Sequence, residues 1–368
     1  MSDLTVEEKV NIIEDNIKNL NDNSFKIYFF VLDTKGNPSG SLEYIYEMAL
    51  SLKEKGYNVG MLHQEKEFIG VKDWMGERYE DIPHYNVETD SVEITASDFL
   101  IIPEILSNVM VQTKTMPCKR ILLVQNYNYL SEFMPLGVTP DMLGVIDIIT
   151  TTETQKQILS ELFPNNRISV ISPYIKNVFR EKEGLKDLVI NIVARDQSDV
   201  NRIVKTFYWK YPIYKWVSFR DLRGITQESL ADALNNSIFT IWVDRDTNFG
   251  YTALQSLKCG SILLGKVPNT PPDWCWENKE SSELTNACLW FDHMDDLPSM
   301  IATLVRSWTL DNIPREVYDN AKKLNELYTY DKFNENMDNL FVKKYFPERK
   351  KEFETIIGIL KNNKENNK

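Results

Sequence analysis

The run Ser237-Ile238-Phe239-Thr240-Ile241-Trp242-Val243 is followed at once by a polar break, a glycine and a helical period, and this order constrains the fold more than any other stretch. An uncharged apolar run of that length, bounded by polar residues, reads as a buried strand. After Asp244-Arg245-Asp246-Thr247-Asn248, order resumes at Phe249-Gly250, and Tyr251, Leu254, Leu257 and Lys258 fall at helical spacing. Cys259-Gly260 stops the helix before a second apolar strand, Ser261-Ile262-Leu263-Leu264. Strand, loop, helix, glycine, strand is a parallel βαβ unit. It places a helix N-terminus, with its unpartnered N–H groups and positive dipole end, at the carboxyl edge of a sheet. Nucleotide phosphates bind at such a place.

The same order recurs along the chain. Residues 4–20 form an amphipathic helix with Val6, Val10, Ile13 and Ile17 on one face. The strand Ile27–Leu32, a loop with Gly36, Pro38 and Gly40, a helix closed at Gly56 and the strand Tyr57–His63 make a βαβ unit. Strands are expected at 99–102, 121–124, 145–149 and 168–171, and then at 188–193, 214–219, 237–243, 261–264 and 288–291. The spacing predicts helices at about 199–209, 227–235 and 250–259, and in the C-terminal region at 295–307, 315–328, 332–345 and 348–362. This divides the chain into a first α/β domain over 1–173, a second α/β domain over 174–345, and a tail over 346–368 that frays from Asn362. Two doubly wound parallel-sheet domains, each Rossmann-like, would face a cleft.

Composition narrows the function. A net charge of −12 leaves no global basic field to gather nucleic acid or anionic lipid. Cys118, Cys259, Cys275 and Cys288 stand far apart beside apolar segments, which reads as reduced core thiols rather than a zinc site. The start, Met1-Ser2-Asp3-Leu4-Thr5-Val6-Glu7-Glu8, is acidic and unlike a signal peptide, and no apolar run is long enough to span a bilayer. A cytoplasmic location is expected. The sequence lacks a P-loop, a G-x-G-x-x-G, a G-x-S-x-G and an H-E-x-x-H. Its three histidines, His63, His84 and His293, read as packed or surface residues, although His63 ends a strand. No metal and no cofactor is expected; Asp244-Arg245-Asp246 reads as loop polar residues.

The segment from Thr247 to Gly260 resembles, without a gap, the donor signature E-G-F-G-L-x-x-x-E-A-M-A-x-G of retaining GT-B glycosyltransferases. The signature's first glutamate falls on Thr247. The second, which holds the donor ribose in that family, falls on Gln255, which can bond hydroxyls but carries no charge. The likeness spans roughly residues 25–345; it implies that residues 1–173 are the acceptor-side domain and that the tail from 346 crosses back to pack on it. Gly36-Asn37-Pro38-Ser39-Gly40 sits where the family keeps a Gly-rich loop, Ile102-Pro103-Glu104 resembles its "viPE" stretch, and Gln125-Asn126-Tyr127 its "NQNxY" stretch. Ile171-Ser172-Pro173-Tyr174-Ile175 is similar to the family's interdomain linker.

The resemblance implies a metal-independent, retaining transfer of a sugar from a nucleotide-diphosphate sugar. It puts Thr247, Asn248, Phe249, Gly250, Tyr251 and Thr252 at the donor and Gln255 at the ribose. Arg195 would serve the diphosphate, with Arg220 and Arg223 as further cations; position 200 is Val, so the family's lysine is missing or replaced by Arg202 or Lys205. Gly36, Gly40, Gln125 and Asn126 would face sugar and acceptor, Asn126 acting with Arg195 and Gln255 at the reacting centre. The acceptor is left open between a glycan, a lipid-linked sugar and a hydroxymethylated DNA base of the bacteriophage kind. A weakly active or inactive nucleotide-sugar-binding relative is the other alternative. Gly250, read as a loop-helix junction outside the core, is expected to tolerate a side chain at modest cost to the fold.

Overall fold

The computed structural model describes residues 4–278, 282–312 and 315–366. Met1-Ser2-Asp3 of the acidic start and Asn367-Lys368 of the tail lie outside the described residues. The chain forms two units. The first comprises Met1–Thr150, Ile158–Ile171 and Asn334–Lys368, and the second Thr151–Gln157 and Ser172–Phe333.

The first unit holds a seven-stranded parallel sheet. Its strands are β1 (Lys26–Phe30), β2 (Asn58–His63), β3 (His84–Asn86), β4 (Phe99–Pro103), β5 (Lys119–Val124), β6 (Asp147–Thr150) and β7 (Arg167–Val170). They are apolar runs because helices cover both faces of such a sheet, and every residue of β4 is buried. The spatial order is β3-β2-β1-β4-β5-β6-β7. The chain winds outward from β1 through β2 to β3 and restarts at β4 on the other side of β1, so the order reverses between β1 and β4. The strand β3 was not anticipated.

The helix Gly40–Glu54, after β1, is buried over most of its length, and the Tyr44 hydroxyl donates to the Ile171 carbonyl at 2.6 Å. The C-terminal helices also belong here. The chain re-enters this unit at Asn334, earlier than the 346 read from the sequence. A π-helical stretch, Asp338–Tyr345, precedes the helix Phe346–Asn366. The Phe346 ring lies 4.8 Å from Phe25 and 5.1 Å from Phe99, and the Arg349 guanidinium donates to the carbonyls of Ala96 and Pro117. The final helix continues to Asn366, where fraying from Asn362 was expected.

The second unit holds a five-stranded parallel sheet of β8 (Asp187–Ala194), β9 (Ser218–Asp221), β10 (Ser237–Val243), β11 (Ile262–Lys266) and β12 (Leu289–Phe291). The order is β12-β11-β10-β8-β9, so it reverses between β8 and β10. The strand expected from 214 begins at Ser218, because Pro212 opens a 3₁₀ turn, Pro212–Tyr214, ahead of it. Trp242, Trp274, Leu254, Leu263 and Phe179 fill one face of this sheet; Phe207, Phe239, Ile241 and Leu297 fill the other. All four cysteines are free and buried, Cys118 in the first unit and the other three in the second. Burial pushes the thiols up, Cys118 to about 11 and Cys259 to about 12, with Cys275 and Cys288 well above the usual value.

Candidate functional site

Doubly wound sheets bind ligands at the carboxyl edge beside a reversal of strand order. In the second unit that edge carries Arg195 after β8, Leu222-Arg223 after β9, and the loop from Asp244 to Gly250 after β10. Arg195 Nε donates to Asp244 Oδ1 at 2.6 Å, a bridge across the reversal itself. Burial raises the Asp244 carboxyl from its ordinary value and the Arg195 charge opposes this. Arg223 pairs with Asp221 at 2.5 Å, and reaches the Gln197 side chain and the Arg195 carbonyl. Each of these cations therefore has a carboxylate partner. Arg220 is not gathered with them. It lies within β9 opposite Asn191, and among the described residues no hydrogen bond or ion pair joins it to the cluster.

The helix Tyr251–Lys258 begins at this edge. Gly250 is its N-cap, in the left-handed region at φ 76°, ψ 47°, a conformation that favours glycine. No side chain caps this helix, so first-turn N–H groups such as that of Thr252 have no partner within it. The Gly250 N–H itself donates to Thr247 Oγ1 at 3.1 Å, which tightens the loop. The junction is not peripheral, contrary to the sequence expectation. A Cβ on Gly250 would stand 3.0 Å from both Trp242 and Trp274, so this glycine rests on an indole floor. Trp274 Nε1 donates to the Phe249 carbonyl at 2.7 Å, and the Phe249 ring packs into the core against Tyr251 and Tyr328. Asn248 is also buried. Thr247, Tyr251 and Thr252 stay half-buried at the edge.

Gln255 follows one turn into the helix. Its side chain is 5% exposed, and its carboxamide oxygen has no hydrogen-bond partner among the described residues. An orphaned buried acceptor of this kind costs about 1–3 kcal/mol and calls for an explanation.

In the first unit, Gly36 and Gly40 follow β1, and Gln125 and Asn126 follow β5. Gly36 sits at φ 76° in the turn after β1, and Gly40 starts the helix capped by Ser39. The Gln125 amide donates to the Ser41 carbonyl at 3.1 Å. Asn126 is buried and caps the helix Tyr127–Phe133, its Oδ1 accepting from the Asn128 N–H at 3.0 Å. The Asn126 N–H in turn donates to Glu104 Oε1 at 2.8 Å. Glu104 follows β4 directly and is 3% exposed. Burial pushes its carboxyl up to about 7, against the lowering effect of the N–H groups it receives. The sequence reading passed over Glu104 as a site residue; the signal was a charged residue immediately after an apolar strand, within the quoted Pro103-Glu104 stretch.

A cavity of about 520 Å³ adjoins the ends of β2 and β3, lined by Tyr46, His63, Phe68 and His84 among others. The Tyr46 hydroxyl and His84 Nε2 are 3.1 Å apart, and burial followed by the His63 charge holds His84 down to about 4. His63 contacts the Glu65 carbonyl at 2.9 Å and is a packed histidine. Among the described residues, no group of three or more His, Cys, Asp or Glu side chains is placed to hold a metal ion.

No family model matches the chain. It is similar to the α-1,6-glucosyltransferase of Actinobacillus pleuropneumoniae serotype 7 (strain AP76), 22% identical over 181 residues, 48% of this chain and 54% of that protein. The chain thus spans about half the length of the curated relative it matches. Among solved structures, sucrose-phosphate synthase (tll1590) from Thermosynechococcus elongatus superposes with a TM-score of 0.64 at 10% identity, covering 87% of this chain and 98% of that one. An α-glucosyltransferase solved with UDP and a 13-mer DNA containing a HMU base gives a TM-score of 0.52 at 13% identity, covering 88% and 98%. These structural neighbours are GT-B glycosyltransferases. The chain has the GT-B fold. At such identities the likeness establishes the architecture, and the chemistry has to come from the residues.

Proposed function

We propose that this chain is a glycosyltransferase that takes its sugar from a nucleotide-diphosphate sugar. The observation that carries the reading is Gln255, a buried carboxamide with an unused acceptor. It lies one turn into an uncapped helix whose left-handed glycine cap stands at the reversal of strand order. A ribose hydroxyl donating to that oxygen would remove the penalty of the orphaned group. The diphosphate would take the first-turn N–H groups around Tyr251 and Thr252, and would compete with Asp244 for Arg195. Bond cleavage builds negative charge on the leaving diphosphate, and fixed N–H groups with a guanidinium stabilise it without reorganisation. In this reading no metal and no cofactor takes part, the sugar is transferred with retention, and the enzyme works in the cytoplasm. Asn126, Gln125, Gly36 and Gly40 face the sugar and acceptor.

The acceptor is a hydroxyl of a glycan, a lipid-linked sugar or a hydroxymethylated DNA base. The DNA reading draws its support from the structural neighbour solved with HMU-containing DNA. The test is thermal denaturation with UDP-, GDP-, ADP- and CMP-sugars, each with and without EDTA. One donor class should raise stability by about 2.7 kcal/mol at a hundred times its dissociation constant, and EDTA should leave that gain unchanged. Stabilisation by none of them would overturn the proposal, and a strict need for a divalent ion would overturn its metal-free form. Transfer assays on glycans and on hydroxymethylated DNA then separate the acceptors.

A further inference from the structure

The helix Gln197–Lys210 and the turn Pro212–Tyr214 carry a feature that sugar transfer leaves unused. Between Asp199 and Asp221 there is no acidic residue, in a chain of net charge −12, while Arg202, Lys205, Lys210, Lys215 and Arg220 fall within it. The same stretch is dense in aromatics, and the structure sorts them. Phe207 is buried, and Tyr208, Tyr211 and Tyr214 pack partly against the core. Trp209, Ile213 and Trp216 point the other way, at 73%, 78% and 55% exposure. The lysines between them are exposed as well. Arg202 is spent on Asp295, at 2.8 Å, but none of the three lysines has a carboxylate partner among the described residues.

Three large exposed apolar side chains set among lysines without carboxylate partners form a surface that water disfavours and an anionic interface satisfies. Indole rings and lysine ammonium groups on apolar stems are suited to the headgroup level of a bilayer. Beside this surface lies an apolar groove of about 540 Å³, lined in part by Leu289, Met300 and Leu304. Ser299 on its rim accepts from Lys210 Nζ at 2.7 Å and lies 3.1 Å from the Tyr211 hydroxyl, so groove and surface are continuous. Single-stranded nucleic acid would also meet aromatics and cations here. The most exposed apolar residue of this surface, however, is the aliphatic Ile213, which offers a base no ring to stack on, and the adjoining groove is largely apolar.

We propose that Trp209, Ile213 and Trp216, with Lys205, Lys210 and Lys215, dock the second unit onto an anionic membrane surface. The contact is peripheral: the aromatic side chains insert at the interface, the lysines meet lipid phosphates, and the groove admits acyl carbon.

Flotation of the full chain with phosphatidylcholine vesicles, and with vesicles in which part of the lipid is phosphatidylglycerol, tests this. Binding is expected to the anionic vesicles, weakened by salt, with a blue shift of tryptophan emission. Trp209→Ser with Trp216→Ser should lower the partition coefficient about tenfold or more, and Lys215→Ala about fivefold. Leu136→Ser, at a fully exposed position of the first unit, should leave it unchanged. Circular dichroism of each variant should match the parent, since every altered residue is exposed. Equal binding to neutral vesicles, equal loss with Leu136→Ser, or retention of oligo-dT in place of vesicles would overturn the proposal. So would failure of the parent to float.

Discussion

The two sheets reverse their strand order in the same manner, yet the chemistry at the two reversals is opposite. In the second unit the edge is ionic: Arg195 pairs with Asp244 and Arg223 with Asp221, and the helix that begins there sets its glycine on Trp242 and Trp274. In the first unit the edge is mostly amide: the Gln125 side chain donates to the Ser41 carbonyl, and the buried Glu104 carboxyl accepts from the Asn126 N–H. Topology supplies only the crevice. An edge of paired charges can exchange a carboxylate for a phosphate, whereas an edge of amides suits neutral hydroxyls. In the proposed function the ionic edge would take the donor and the amide edge the acceptor.

The largest expected effect tests how far the indole floor is part of the ionic edge. Gly250→Val forces a β-branched residue into the left-handed region and against two tryptophans at 3.0 Å. It should cost about 2–4 kcal/mol of stability in urea denaturation and abolish nucleotide binding as well. Stability within about 0.5 kcal/mol of the parent would show that the floor yields and that the two edges are less different than they look.

Next comes the amide edge. The Glu104 carboxyl is raised to about 7 from an ordinary 4.5, so the folded state holds the proton more tightly than the unfolded chain. Its contribution is fully present below about pH 4.5 and is lost as pH rises through 7. The total is at most about 3 kcal/mol at roughly 1.4 kcal/mol per unit. His84, held down to about 4, works in the opposite direction, losing stability as pH falls below 6.5. The measurement is thus the difference between Glu104→Gln and the parent from pH 4.5 to 8. That difference should grow in favour of the variant as pH rises. A flat difference would mean that Glu104 is ionised at no cost.

The smallest effect sharpens the donor assignment. Gln255→Ala should weaken nucleotide-sugar binding by about 1–3 kcal/mol while leaving the pH profile of the first unit alone. Unchanged binding, read by calorimetry, would remove the ribose from this helix.

What was legible beforehand follows from the physics of each element. Parallel strands buried on both faces are continuous apolar runs, so eleven of the twelve strands were anticipated, with shifted ends. The exception, His84–Asn86, is three residues long and only partly buried, and carries no such run. The helix after Gly250 was readable from spacing, but the left-handed backbone of the glycine was not. The Trp274 indole that holds the Phe249 carbonyl was not, because nothing local links two residues so distant in the chain. Nor could spacing reveal that Arg195 and Arg223 are already paired, or that Arg220 is turned to strand register. Those depend on which strands become neighbours.

The four buried thiols have a practical consequence. Alkylating reagents need a thiolate within reach, and each of these sulfurs is enclosed and held protonated. A reagent in solution therefore reacts only when the surrounding structure opens, and the labelling rate becomes a clock for that opening. Cys118 keeps time for the seven-stranded unit, and Cys259, Cys275 and Cys288 for the five-stranded one. Mass spectrometry of partly labelled chains would read the two clocks separately, without any residue being introduced.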